Sequence, residues 1–249
     1  KLDEKALIIY GRKVYSQCDE DGIIEEIFNR IGTTDKTFIE IGCGQGLENN
    51  THYLLLKGWK GVWIDGSNEN IRFIKNQLGY RGDKNKKLSI TQTYVDRDNI
   101  NQILKENLVQ IAHEGTTVDF LSMDIDGNDL EVLRHINAVN PRVICVEYNA
   151  KFPPSLCETI TYDPAHRWQG DDYQGSSLAA IHLVMESHGY TLVSCSIAGT
   201  NAFFVRNEDI GPINILPLEK LYMPARYHLC HKDSGLPASL KFLRKKLND

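Results

Sequence analysis

Along this chain, short apolar runs alternate with segments in which apolar residues recur every three or four positions. Residues 20–31 set Ile23, Ile24, Ile27, Phe28 and Ile31 on one face and predict an amphipathic helix. Thr37 to Ile41 (TFIEI) reads as a short strand ending in glycines, and residues 50–57 (NTHYLLLK) as the next helix. The alternation then repeats, with strands at 61–65, 87–95, 118–125 and 142–148 and helices at 70–78, 99–113 and 130–136. The polar stretch GYRGDKNKK at 79–87 predicts a surface loop. Residues 150–175, with Pro153, Pro154 and Pro164, break the rhythm, and a loop of that length is usually functional. A helix at 176–188 and strands at 191–195 and 201–206, joined by a turn at Gly199, restore it.

Strands that alternate with helices need crossover connections, which place the strands parallel and cover both faces of the sheet. The expected fold class is therefore α/β: a doubly wound, mostly parallel seven-stranded sheet with an antiparallel edge hairpin. One domain over 1–249 is expected, with 150–175 as a substrate-binding insertion and 210–249 as a C-terminal tail. Composition supports an ordinary globular chain, since 41% of residues are hydrophobic and 24% charged. A net charge of -5 gives no broad basic surface, so no nucleic-acid partner is expected. No run approaches the length of a membrane span, and residues 1–13 lack the apolar core of a signal peptide, so no membrane partner and a cytoplasmic location are expected. The six cysteines form no CxxC pair and read as reduced core or near-core thiols.

The strongest chemical signal is Glu40-Ile-Gly42-Cys-Gly44-Gln-Gly46, between a strand and a helix. Glycines there permit a tight turn and let backbone approach a ligand over the strand's carboxyl end. The second strand ends in Asp65, an acid placed to meet the ribose hydroxyls of an adenosine. The spacing E-x-G-x-G-x-G differs from the G-x-G-x-x-G of dinucleotide sites. Asp124, Asp126, Glu147 and Asn149 stand at the carboxyl ends of inner strands, and alternation sends each pair the same way. Four oxygen-bearing side chains can therefore converge as ligands for a hard cation, with Asp124, Glu147 and Asn149 as the metal set, or cap the next helix through Asp126 or Asn128. In the irregular segment, His166 is a candidate base, while Trp168 and Tyr173 can stack on a sugar face and Arg167 can pair with a phosphate. His52, His113 and His135 read as helix-surface or boundary residues, and the Lys84–Lys87 and Lys241–Lys246 runs as solvated.

Taken together these residues resemble the FkbM-type methyltransferases that use S-adenosylmethionine (SAM), many of which modify sugars. The resemblance runs from about residue 15 through Ser16-Gln17, Glu20-Asp21, the Glu40–Gly46 loop, Gly58-Trp59, Asp119 to Gly127, Val146 to Asn149 and Asn201 to Arg206. It implies a Rossmann-like fold and a cofactor set of Gln17, Glu40, Gly42, Gly44, Gly46, Asn50, Thr51, Asp65, Gly66, Ser67, Asp96 and Asp124, with Glu40 reaching the methionine moiety. It further implies methyl transfer to a sugar or nucleotide-sugar hydroxyl, with Mg²⁺ or Mn²⁺ as an assisting ion; the expected catalytic groups are Asp124, Asp126 and His166, with Tyr148, Arg167, Trp168 and Tyr173 toward the substrate. Two alternatives stay open: an NAD-linked sugar oxidoreductase, and a non-catalytic SAM or nucleotide-sugar binding domain.

Overall fold

A computed structural model describes residues 5–78, 87–230 and 240. Most of the expected loop at 79–87, the Lys241–Lys246 run and much of the tail's end lie outside the described residues. The elements are α1 (Glu20–Ile31), β1 (Thr37–Ile41), α2 (His52–Leu56), β2 (Lys60–Asp65), α3 (Asn68–Asn76), β3 (Leu88–Gln92), α4 (Ile100–Gln110), β4 (Thr117–Met123), α5 (Asp129–His135), β5 (Asn140–Glu147), α6 (Leu178–Ser187), β6 (Tyr190–Cys195), β7 (Asn201–Arg206) and α7 (Leu218–Leu221). The strand order is β3-β2-β1-β4-β5-β7-β6. β1 pairs in parallel with both β2 and β4, so the order reverses between β1 and β4, where doubly wound sheets open a crevice.

The expected edge hairpin forms, but not by simple addition. β7 runs antiparallel to both β5 and β6 and inserts between them, which leaves β6 as the outer strand. β3 is shorter than its sequence pattern: the ladder stops at Gln92, and Thr93 to Val95 turn out beside Asp65, where the Thr93 amide donates to the Asp65 carbonyl at 3.0 Å.

Each strand alternates between two apolar layers, as a period of two requires. Ile39, Ile41, Val62, Ile64, Leu121 and Met123 pack under α4, α5 and α6. Phe38, Trp63, Phe120, Val143 and Cys145 pack under α1, α2 and α3. The four apolar residues Ile23, Ile24, Ile27 and Phe28 of α1 are buried as expected, and Ile31 is half-buried. Among the described residues, no helix is long and apolar enough to cross a membrane.

At the amino ends of the strands the layers are tied by one buried charge network. Asp119 on β4, fully buried, accepts the amides of Thr34 and Lys36 at 2.9 and 2.8 Å and a 2.9 Å bond from Arg142 on β5. The Arg142 guanidinium also donates to Asp209 and to the carbonyls of Ile31 and Gly32 at the end of α1. Removing one partner strands the other charge in the interior. Arg142→Met is therefore expected to destabilise the protein by about 3–5 kcal/mol in urea unfolding. A change within about 0.5 kcal/mol would show that the network is dispensable.

Candidate functional site

The site grows from the way β1 ends. Past Ile41 the chain threads between its two neighbours: the amides of Gly42 and Cys43 donate to the Ile64 carbonyl at 2.8 and 3.2 Å, and the Asp124 amide donates to Ile41 at 3.0 Å. A side chain at Gly42 has no room, since a Cβ would stand 1.6 Å from the Asp124 carbonyl oxygen, and its φ of +86° suits only glycine. Asp65 then ties the turn to β2, because its carboxylate accepts the Gly44 amide at 2.8 Å, the Ser67 amide at 2.8 Å and the Asn70 side chain at 3.1 Å. Ser67 in turn caps α3 by accepting the Asn70 amide.

Above this turn lies a cleft of about 440 Å³, a size typical of small-molecule sites. Gln17, Gly42, Gly44, Asp65, Gly66, Ser67, Asp124, Asp126, His166, Arg167 and Trp168, all expected from sequence, line it together. Asn70, Tyr94, Val95, Ile125 and Asn128 line it too and were not anticipated. A polar residue one turn into α3 or an aromatic just past a strand carries no pattern that could have marked it. A second, smaller cavity of about 150 Å³ lies at the other end of the sheet between α5 and α6, near Leu133, Val184 and Tyr190.

Other expected cofactor residues turn inward. Glu40 is buried, and its carboxylate accepts the amides of Asn50 and Thr51 and the Thr51 hydroxyl. It anchors the start of α2 and does not line the cleft, contrary to the expectation that it reaches a ligand. Asn50 spends its side-chain amide on Ser122 and Cys145, and Thr51 accepts the Trp63 indole at 2.8 Å, so both are structural. Gly46 lies against the Trp63 ring and gives its carbonyl to the His52 imidazole. His52 is thus no surface residue: it is fully buried and stacks on Tyr15 at 4.8 Å, and burial lowers its pKa to about 4. His113 is likewise buried, 2.8 Å from Asp35. Asp96 accepts the amides of Asp98 and Asn99 before α4 and stays out of the cleft wall.

Ser16 to Asp21 explains how Gln17 arrives. One oxygen of Asp21 accepts three consecutive amides, Val14, Tyr15 and Ser16, each at 2.7 Å, and the Ser16 hydroxyl accepts the Asp21 amide. Glu20 accepts from Cys18, Thr200 and Asn201, while Asp19 holds the Ile197 amide. The acidic motif folds the approach to α1 into a compact loop whose Gln17 faces the cleft.

On the far side of the cleft stand Asp124 and Asp126, and with Glu147 behind them each offers an oxygen within 4.8 Å of the others. Burial, then the charges of Asp126 and Asp129, raise Asp124 well above the usual carboxylate range. Glu147 rises through burial and the charge of Asp124. Asp126 rises through burial, partly offset by His166. Asp126 holds a left-handed φ of +56°, a conformation Asp tolerates better than most residues, so strand alternation does not account for its position. The turn is held by Asp129, which accepts the amides of Ile125 and Gly127 at 2.8 and 2.9 Å, and neither Asp126 nor Asn128 makes the expected side-chain cap.

Two further expectations fail here. Asn149 donates its side-chain amide to the carbonyls of Asp172 and Gln174, pinning the irregular segment instead of joining the acids. Tyr148 is buried on the opposite face, with its hydroxyl donating to the Met223 carbonyl at 2.6 Å, so it cannot meet a substrate in the cleft.

The segment 150–175 folds over the cleft without helix or strand of its own. Arg167 stacks 3.9 Å from the Tyr94 ring centroid, Arg97 stacks 4.4 Å from that of Tyr162, and Asn128 donates to the Asp163 carbonyl at 2.8 Å. The His166 ring lies against Gly127, and its Nε2 is buried with no hydrogen-bond partner among the described residues. Trp168 is 46% exposed at the cleft wall, whereas Tyr173 accepts the Thr161 amide and stands outside it.

The methyltransferase FkbM domain model matches residues 17–192. The sequence has no match among curated proteins. Solved structures with a partial likeness include the magnesium protoporphyrin IX methyltransferase of Synechocystis PCC 6803 with bound S-adenosylhomocysteine (SAH), at 12% identity over 75% of this chain and 81% of that one, with a TM-score of 0.49. Another is an O-methyltransferase from Bacillus cereus in complex with SAH, at 13% identity over 73% and 76% of the two chains, with a TM-score of 0.44. Overlaps this slight carry no functional weight.

Glu40 has a pH signature that tests its inward role. Burial lifts its pKa from an ordinary 4.5 to about 7, against the pull of the Thr51 and Asn50 donors. A raised carboxyl binds its proton more tightly when folded, so its contribution is full below 4.5 and is lost as pH rises through 7. Urea unfolding should therefore show wild type losing stability relative to Glu40→Gln between pH 4.5 and 7, and a constant difference across that window would contradict the assignment.

Proposed function

The chain belongs to the FkbM methyltransferase domain family, and from that premise we propose that it moves a methyl group from SAM to a hydroxyl oxygen of a sugar or nucleotide-activated sugar in polysaccharide or glycoconjugate biosynthesis. The observation that carries the reading is the cleft itself, with a glycine turn and Asp65 on one side and Asp124 and Asp126, backed by Glu147, on the other. When bound, SAM supplies an electrophilic methyl group. Asp65 keeps one acceptor position open on the oxygen that takes Gly44, and Ile64, Val95 and Ile125 provide apolar surface for a nucleoside base. Gly42 and Gly44 leave the cleft floor free of side chains, and Gln17 adds a polar group at the rim.

Methyl transfer is an in-line displacement that depends chiefly on alignment. A sugar hydroxyl is a weak nucleophile near neutrality, so a base must take its proton as the new bond forms. Asp124 suits that role, because a carboxylate whose proton affinity is raised by burial and by Asp126 is a stronger base. The proton released from the hydroxyl goes to Asp124, and Glu147 beside it can share it. The all-oxygen donor set of Asp124, Asp126 and Glu147 also fits Mg²⁺ or Mn²⁺, which would acidify a bound hydroxyl. His166, with its unpartnered Nε2, is the second candidate base. Trp168 offers an exposed ring for a sugar face, and Arg167, its plane stacked on Tyr94 and one Nη donating to the His166 carbonyl, has its remaining donors for a phosphate.

SAH should bind and raise Tm with concentration, as linkage requires, whereas NAD should leave Tm unchanged. The reverse pattern would favour hydride chemistry. Asp65→Asn should weaken SAH binding by about 1–3 kcal/mol in calorimetry, with circular dichroism unchanged, and an unaltered affinity would remove Asp65 from the cofactor site.

For the acids, chelator treatment should abolish methyl transfer while SAH still binds, and Mg²⁺ or Mn²⁺ should restore it. Transfer that survives chelation but falls about 10²-fold or more in Asp124→Asn would assign the carboxylate as base without a metal. Transfer to a verified acceptor that survives both treatments would overturn the acid site.

A further inference from the structure

Three of the six cysteines, Cys43, Cys145 and Cys195, are buried in the sheet core, and Cys157 is exposed. The remaining two, far apart in sequence, meet beside the cleft. Cys18 Sγ lies 4.0 Å from the carbonyl of Leu229, the residue before Cys230, which brings the two thiols close enough to perturb each other's proton affinity. We propose that Cys18 and Cys230 form a reversible disulfide, clamping the 3-10 turn Tyr227–Cys230 onto the loop that carries Gln17 into the cleft.

The two thiols differ in ways that assign their roles. Cys18 is almost fully buried, and its backbone is held on both sides, its own amide by Glu20 at 2.8 Å and the next residue through Asp19 and the Ile197 amide at 3.0 Å. Cys230 is half-exposed. The neighbouring Cys18 lowers the Cys230 thiol, helped by Lys13, while Cys230 and burial raise Cys18. Cys230, the thiol that solvent reaches, is therefore the attacking thiolate, and the buried Cys18 is the resolving thiol.

With a small disulfide such as oxidised glutathione as oxidant, the Cys230 thiolate attacks one of its sulfurs, and the S–S bond breaks to release one thiolate. The Cys18 sulfur then attacks Cys230 in the mixed disulfide, and its proton leaves with the second glutathione thiol. Two protein thiols are oxidised, one disulfide is reduced to two thiols, and the exchange reverses with excess thiol.

The clamp has a local target. The turn is tied to the hairpin by the Arg226 amide on the Ala198 carbonyl at 2.8 Å, and burial, then the charge of Glu147, raises the Tyr227 phenol. Closing the bond fixes the turn next to the acids, whatever reaction they serve.

The test equilibrates the full chain in reduced and oxidised glutathione, blocks free thiols by alkylation, and maps the peptides by mass. The expected result is a Cys18–Cys230 linked peptide, a loss of two alkylatable thiols relative to the reduced chain apart from Cys157, and recovery of both in dithiothreitol. In Cys18→Ser, Cys230 should stop as the mixed glutathione disulfide, and trypsin should cut after Arg226 more slowly in linked than in reduced wild type. Wild-type Cys230 accumulating as the mixed disulfide with Cys18 free, both thiols staying reduced, or linked protein cut at the reduced rate would each overturn the proposal.

Discussion

The site depends on one close approach: Gly42 passes the Asp124 carbonyl with no space for a single additional carbon. That contact sets the end of β1 against the end of β4 at the point where strand order reverses, and so fixes the distance between the glycine turn and the first acid. Asp65 completes the frame from β2 by binding the Gly44 amide, so three adjacent strands are locked at their carboxyl ends before any ligand arrives. A site held this way is largely preorganised, which suits a displacement whose barrier falls mainly through alignment.

The same end of the sheet concentrates buried carboxylates, and their costs are managed unequally. Glu40, Asp21 and Asp129 face arrays of amide donors that restrain the proton affinity burial would otherwise raise further. Asp124 and Glu147 instead face each other and Asp126, so their burial is compensated poorly. An uncompensated group of like charges in a cleft is where function is to be sought, because a proton or a cation relieves it. The acids that look most alike in sequence thus divide into those that hold the backbone and those left with capacity for chemistry.

The sheet was legible in the sequence because its signal is long and periodic: the apolar alternation at Phe38, Ile39, Val62 and Trp63 is the same alternation that fills the two core layers. Gly42, Gly44 and Asp65 were legible because turn geometry demands those residue types. Asn149, Asn50, Thr51 and Asp96 were not, since a polar side chain at a strand end serves its own backbone as readily as a ligand, and only the fold shows which carbonyls and amides lie in reach. Tyr148 fell to the other face because it follows Glu147 in extended chain, where neighbours point oppositely. The insertion of β7 between β5 and β6 and the meeting of Cys18 with Cys230 are long-range pairings that local pattern does not encode.

The most direct test of this account is the crystal structure of the protein with SAH. The account predicts the ligand in the cleft between Gly42 and Tyr94, with a ribose hydroxyl at hydrogen-bond distance, about 2.7–3.2 Å, from the Asp65 carboxylate. It further predicts that the Gly44–Asp65 bond stays intact and that the sulfur faces Asp124. Density for SAH in the cavity between α5 and α6, or in the cleft with its sulfur turned away from the three carboxylates, would contradict it.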